Sequence, residues 1–313
     1  MATTDPVNLA DALSLLRPKD KTPNSARVLS VWVAQAQERL GSGGSRLGWL
    51  VASTVVTAAL QRTVDNAGRA RFLLKGGTML QYRLPGMSRT TQDLDGLVTG
   101  DLDSFVEQVD GALEEPWGPL TLARGPVETI NVPHKVAKPR RFDVVVSLSG
   151  ITWRRIQVEI SPDEGLAGAV AEDLPSPSLA GFGLPTPDRL VSLAMRYQVA
   201  QKVHAATDPH DPPEFLNDRP RDAVDLVLMR DLITQTREPS LTAIREAVTD
   251  IFAAREAEAE ALGRAGRPWP ARLTPYPHWE VGFAKGAAQA ELPLTMREAV
   301  SQVNAWLDEV DAA

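Results

Sequence analysis

The 313-residue chain contains no cysteine. Disulfides, thiol nucleophiles and cysteine-ligated zinc are therefore excluded, and any metal must be held by oxygen or imidazole ligands. No apolar run approaches the roughly 20 residues needed to cross a bilayer. The opening "MATTDPVNLADALSLLRPKDK" also lacks the basic-then-apolar layout of a secretory signal, so the expected compartment is the cytoplasm, with no membrane partner. Positive charge is not in excess either. The formal net charge of −7 argues against a surface built throughout for nucleic acid, because phosphate binding relies on Lys and Arg. What is present is 43% hydrophobic residues, enough to bury the core of one large domain or two modest ones.

Periodicity divides the chain into three stretches. Up to about Ala70 it reads as helical, with "SRLGWLVASTVVTAALQRTVD" the clearest amphipathic segment after a Gly/Ser break. The centre holds "RFLLKGG", "DLDGLV", and a hairpin of "RFDVVVSLSG" and "ITWRRIQVEIS" turning at Ser149 and Gly150, which together predict a small mixed sheet. From about Pro187 the pattern returns to helix: "PDRLVSLAMRYQVAQKVHAA", then "RPRDAVDLVLMRDLITQ" with Pro220 in a first turn and Asp218 as a nearby cap, and "SLTAIREAVTDIFAAREAEAEALG" stopped by Gly263. A last helix, "LTMREAVSQVNAWLDEV", closes the chain. Helices therefore flank a central sheet.

The tripeptide Asp-Leu-Asp occurs twice, at Asp93–Asp95 and at Asp101–Asp103. Strand side chains alternate with period two, so Asp93 and Asp95 face the same way. Two carboxylates presented together repel each other unless a divalent cation lies between them, and such oxygen ligands suit Mg²⁺ carrying phosphates. The second copy follows Gly100 and precedes "SFVEQVDGAL", where Ser104 and Glu107 have capping-box spacing, so its acids are expected at a helix start. Ahead of the first copy a strand ends in Gly76-Gly77-Thr78, and "TMLQYRL" can begin a helix. Glycines let backbone approach a phosphate, and helix N-terminal N–H groups aim at an anion, although the pair is equally compatible with a plain strand-to-helix turn. A Walker-type loop is excluded because Lys75 precedes the glycines.

Two further clusters stand out. Lys135, Lys138, Arg140 and Arg141, with Arg154 and Arg155 beside them in the hairpin, form either a nucleic-acid patch or a solvated basic face. His204, Asp208, His210 and Asp211 combine imidazole with carboxylate but match no standard metal spacing, and a turn-rich loop is the simpler reading.

Together, "KGGT" and "RTTQDLD" resemble the signature of the AbiEii/AbiGii nucleotidyltransferase toxins, which belong to type IV toxin–antitoxin systems and to the DNA polymerase β-like superfamily. "YQVAQKVHAATDPHDPPEFLNDRPRDAVDLVLM" resembles that family's later motifs, a Lys on one helix and an Arg-Asp…Asp on the next, so the likeness runs from about Arg71 to Arg230. It implies an α+β fold: a polymerase β-like nucleotidyltransferase core with a small mixed sheet, flanked by N-terminal helices and a helical C-terminal region. The expected division is residues 1–165 for the N-terminal helices and core, and 166–313 for the helical C-terminal domain. The resemblance further implies that Lys75, Gly76, Gly77, Thr78, Arg89, Thr91 and Lys202 hold a nucleoside triphosphate. Asp93 and Asp95 would bind Mg²⁺, with Mn²⁺ as an alternative, and Lys202 and Asp222 would form a further essential pair.

The residues themselves leave other readings open. Lys202 can equally be solvated beside an apolar stripe of Leu190, Leu193, Ala194 and Tyr197, and Asp222 can be a helix N-terminal carboxylate favoured by the macrodipole. Asp222 and Asp225, three apart on a helix, share a face and could fix Lys202 or meet a nucleotide. Superfamily enzymes use a third carboxylate on a neighbouring strand. Glu159 alternates with Ile156, Val158 and Ile160 and so points away from the core face, which makes it the candidate third ligand or base, ahead of Asp143. An outward strand carboxylate is usually plain surface.

The implied activity transfers a nucleoside monophosphate from a nucleoside triphosphate to an acceptor hydroxyl, with pyrophosphate leaving. Some family members modify the 3′ acceptor end of tRNA, so RNA is the expected acceptor and an antitoxin protein an expected partner. Alternatives are a small-molecule or protein hydroxyl as acceptor, or an inactive nucleotidyltransferase fold serving as a binding module.

Overall fold

The computed structural model describes residues 9–40, 46–84, 91, 93–132, 135–213 and 215–313. Three helices come first: α1 (Leu9–Ser14), α2 (Ala26–Leu40) and α3 (Arg46–Leu60). The sheet region follows, with β1 (Phe72–Leu74), α4 (Gly76–Arg83), β2 (Asp93–Val98), α5 (Leu102–Glu114), β3 (Leu120–Arg124), β4 (Glu128–Thr129), β5 (Arg140–Leu148), β6 (Ile151–Pro162), β7 (Ala171–Leu174) and β8 (Leu190–Leu193). The remainder is helical: α6 (Met195–Ala206), α7 (Pro220–Thr236), α8 (Leu241–Ala261), α9 (Glu280–Gln289) and α10 (Met296–Ala312).

The strands form one mixed sheet in the order β3-β5-β6-β2-β1-β8-β7, with β4 paired to β5. Strand β2 is antiparallel to β1 and parallel to β6, and β8 is parallel to β1. The hairpin expected at Ser149 and Gly150 is present: both residues have positive φ, at 51° and 78°, as a two-residue turn matched to strand twist requires. Alternation sorts the central strands by face. Leu94, Val158 and Phe142 form one buried row across β2, β6 and β5. The polar rows Asp93–Gln157–Asp143 and Asp95–Glu159–Arg141 lie between such rows and point to the other face. Helix α3 is apolar nearly all round, which demands burial on every side, and it packs between α2 and strands β1, β5 and β6.

The sheet is larger than the sequence suggests. Strands β3, β4 and β7 add to those expected, and the stretch Leu190–Leu193, expected to open a helix, is strand β8. Its apolar residues face partners on both sides, β1 and β7, and the amide of Gln61 reinforces that placement. Gln61 Nε2 donates to the carbonyls of Val191 (2.6 Å) and Phe72 (3.2 Å), while its Oε1 accepts from Val191 N–H. The helical stripe of Leu190, Leu193, Ala194 and Tyr197 is therefore corrected, because helix starts only at Met195. Since β7 and β8 complete the sheet, the boundary expected at residue 165 falls inside it.

Two caps also differ from expectation. Arg219, not Asp218, occupies the position before Pro220 and makes no side-chain cap. At α5 the cap is Asp101, whose carboxylate accepts from Ser104 N–H at 2.7 Å, so Ser104 lies inside the first turn and the Ser104/Glu107 capping box is absent. Asp103 in that turn pairs with Arg140 at 3.0 Å. The architectural role of the second Asp-Leu-Asp is thus confirmed. Asp101→Ala is expected to cost about 1 kcal/mol in urea unfolding, the usual worth of an N-cap, and circular dichroism at 222 nm will measure it.

Candidate active site

The site is assembled where β1 ends and β2 begins. Lys75 N–H bonds to the Asp95 carbonyl at 3.0 Å, and the chain then turns through Gly76 at φ +68° into α4. A Cβ at Gly76 would lie 2.3 Å from Asp95 Oδ2, so only glycine allows the turn to press against that carboxylate. Gly76 N–H donates to Oε1 of the buried Gln198 on α6 at 3.2 Å, and Gly77 is buried. Thr78, expected to hold a triphosphate, is fully buried, and its hydroxyl donates to the Asp93 carbonyl at 3.1 Å. It staples α4 to β2 instead of facing a ligand. Thr91 makes a similar bond to the Asp93 carbonyl at 3.2 Å, and Arg89 lies outside the described residues.

Asp93 and Asp95 share one face of β2, with Gln157 and Glu159 directly beside them on β6. Burial pushes the Asp95 carboxyl up to about 6, and Glu159 and Asp93 add to that while Lys75 opposes it. Asp93 is raised for the same reason, burial first and then Glu159. Lys75 donates from Nζ to Ser161 Oγ at 2.6 Å, and burial lowers its ammonium against the pull of Asp95. Glu159 is held: its Oε1 accepts from Arg141 Nε (2.9 Å), from an Arg141 terminal nitrogen (2.6 Å) and from Gln157 (3.3 Å). Asp143 is occupied by Arg155 at 3.0 Å.

The later motif residues come together as well. Lys202 of α6 sits between two carboxylates of α7, with Nζ 2.7 Å from Asp222 Oδ1 and 2.7 Å from Asp225 Oδ2, the latter fully buried. This is the arrangement in which Asp222 and Asp225 fix the lysine. Lys202 also lowers the Asp95 carboxyl slightly through its charge, and α6 meets the Gly76 turn through Gln198.

Other clusters resolve differently. The hairpin cations are engaged locally: Lys135 with Glu164 and Glu258, Lys138 with the Val132 carbonyl, Arg140 with Asp103, Arg141 with Glu159 and Arg155 with Asp143. Arg154 lies over the Trp153 ring. As a free basic patch the hairpin is therefore largely neutralised. Buried among Arg255 and Arg267, His204 is driven down to about 2 and stays neutral, while His210 stacks on His278 with centroids 4.3 Å apart. The rival histidine metal site is not assembled. Gln157, Gln198 and Ser161 were not anticipated. Only the parity of Gln157 with Glu159 could have signalled the first, and nothing local signals the others, which reach the site from other elements.

Among the described residues no three His, Asp or Glu side chains form a metal cage. The carboxylates that could hold an ion are the pair Asp93/Asp95, both raised by burial and, after it, by neighbouring carboxylates, Glu159 for Asp93 and Glu159 with Asp93 for Asp95. Mg²⁺ is commonly held by one or two carboxylates together with substrate phosphates, so the pair fits a divalent ion bound in that way.

Paired carboxylates thus lie beside a glycine turn at the start of a helix. The chain belongs to the family described as nucleotidyl transferase AbiEii toxin, Type IV TA system, whose sequence model matches residues 58–303, and it is accordingly a nucleotidyltransferase toxin. No curated protein sequence matches it. Among solved structures it is similar to MenT4, a nucleotidyltransferase toxin from Mycobacterium tuberculosis H37Rv, at 19% identity, with 91% of this chain and 99% of that chain covered and a TM-score of 0.47.

The raised Asp95 has a stability consequence. A carboxyl whose folded pKa of about 6 exceeds its unfolded value contributes stability below about pH 4 that is lost as pH rises through about 6. Asp95→Asn, which cannot ionise, is therefore expected to unfold at higher urea than wild type at pH 7.5, by about 1–2 kcal/mol, in metal-free buffer. At pH 4 the difference should vanish.

Proposed function

We propose that the protein transfers a nucleoside monophosphate from a nucleoside triphosphate to an acceptor hydroxyl on RNA, the 3′ end of tRNA being the favoured acceptor, with Mg²⁺ as the divalent ion. The observation that carries this reading is the contact between the Gly76 turn and the Asp95 carboxylate, which brings a helix N-terminus and a carboxylate pair to one point. The acceptor oxygen attacks the α-phosphorus, the bond to the β-phosphate oxygen breaks, pyrophosphate leaves, and the hydroxyl proton passes to the carboxylates of the cleft. A bound divalent ion would neutralise charge developing on the phosphoryl oxygens. Asp93 and Asp95 would hold that ion, the Gly76-Gly77 turn would orient the triphosphate, and Lys202, itself fixed by Asp222 and Asp225, would present its ammonium at a set position. Lys75 supports Asp95 from below.

With the hairpin neutralised, the support for RNA comes from elsewhere on the surface. Arg17, Lys19 and Arg39 converge with Trp32 on a cavity formed by the segment that follows α1, by α2 and by the turn at Gly181, and Lys19 Nζ lies 4.9 Å from the Trp32 ring centre. Such a cluster suits a phosphate backbone in a chain of negative net charge. An antitoxin protein is the expected partner of a toxin of this family.

Incubation with Mg²⁺, each labelled nucleoside triphosphate in turn and total RNA is expected to label RNA. Asp93→Ala should reduce incorporation by about 10³-fold or more, the scale for removing a group that stabilises transferring charge, while Asp101→Ala remains active. Label appearing only in protein or small molecules would redirect the reading to those acceptors. A triple Arg17→Gln/Lys19→Gln/Arg39→Gln variant is expected to bind RNA about 10-fold more weakly in filter assays, with a log–log salt slope smaller by about 2–3.

A further inference from the structure

The side chain of Gln157 stands directly beside Asp93, and its amide nitrogen spans two carboxylates: it donates to Asp93 Oδ1 at 2.9 Å and to Glu159 Oε1 at 3.3 Å. A glutamine amide has two hydrogens, so both are used here. The reverse orientation would set its carbonyl oxygen against the Glu159 carboxylate that is paired with Arg141, so the amide nitrogen is the end that faces the two acids. Glu159 in turn receives two N–H bonds from Arg141 on the same Oε1, which closes a chain Arg141–Glu159–Gln157–Asp93 across β5, β6 and β2. The outer links follow from register, Arg141 opposing Glu159 and Gln157 pairing with Asp93, and the middle one from alternation, which puts Gln157 and Glu159 on one face of β6.

We propose that Gln157 is a positioning residue for the metal-binding carboxylates and that Glu159 acts as its anchor and not as a third metal ligand. With Oδ1 of Asp93 occupied by a donor, its carboxylate is held in one orientation and Oδ2 is the oxygen assigned to the ion. Hydrogen-bonded partners behind metal ligands fix ligand direction in this way, and their loss typically weakens metal affinity by about 10–100-fold. Glu159 has one oxygen filled by three donors, an arrangement suited to holding Gln157 and Arg141 still. The inference rests on Asp93 and Asp95 being the metal ligands of the proposed function, and it assigns their support to two residues that the superfamily likeness either left without a role or gave a different one.

The test is the dissociation constant for Mn²⁺ alone, measured by electron paramagnetic resonance of the free ion, for wild type, Asp93→Asn, Gln157→Met and Glu159→Gln, with thermal unfolding midpoints recorded in metal-free buffer. Methionine keeps the length of Gln157 without its donors, and the position is partly exposed, so the fold is expected to persist. The expected result is that Asp93→Asn binds at least 100-fold more weakly, Gln157→Met about 10–100-fold more weakly with an unchanged midpoint, and Glu159→Gln within a few-fold of wild type. If Gln157→Met binds Mn²⁺ like wild type while Asp93→Asn does not, the positioning role is wrong. If Glu159→Gln loses affinity as severely as Asp93→Asn, Glu159 is a ligand and the proposal fails. If Asp93→Asn itself binds like wild type, the carboxylate pair is not the metal site, and the failure lies in that reading.

Discussion

Like charges confined to one face of a sheet govern the organisation of this molecule. Parallel pairing of β2 with β6 sets Asp93, Asp95 and Glu159 side by side, and burial raises the first two toward protonation. Each neighbouring element supplies something that tempers the repulsion. Lys75 approaches Asp95 from the end of β1, Arg141 neutralises Glu159 from β5, and Gln157 places amide hydrogens between two of the carboxylates. The residual strain is the kind found at sites arranged for a task and not for maximal stability.

The helical part is coupled to that face through α6. Gln198 and Lys202 are four residues apart and therefore share a side of the helix. Gln198 accepts the N–H of Gly76 at the turn, while Lys202 reaches Asp222 and Asp225 on α7. A second tie lies beyond β6, where Glu164 accepts from Lys135, Gln201 and Arg255 and so joins the sheet region to α6 and α8. Burial alone would raise the Glu164 carboxyl, but Arg255 and Lys135 hold it far below the usual range. The turn that would orient a triphosphate and the lysine that would meet it thus belong to one connected unit, although they lie more than a hundred positions apart in the chain.

The two Asp-Leu-Asp copies show why identical local sequence has different outcomes. In the first, the alternation of a strand brings both acids to the polar face beside Glu159. In the second, Asp101 closes the first turn of α5 and Asp103 answers Arg140. Context set by Gly76 on one side and Gly100 on the other separates them. Misreadings had an equally local cause. The segment Leu190–Leu193 is too short to distinguish strand from the start of a helix, and its state is decided by β1, β7 and Gln61.

Periodicity and motif spacing by themselves determined the hairpin at Ser149–Gly150, the strand–turn–helix around Gly76 and the shared face of Asp93 and Asp95, because each depends on neighbours within one or two elements; the residues left the pairing of Lys202 with Asp222 and Asp225 as one of several readings, and the packing of α6 on α7 decided it. Only the tertiary structure decided that Thr78 is buried in the fold, that Lys135 and Arg140 are paired with acids from distant segments, and that Glu159 is bound by Arg141 and Gln157. Those outcomes depend on strand order and register, which place residues distant in sequence within hydrogen-bonding distance, and no local pattern encodes such distances.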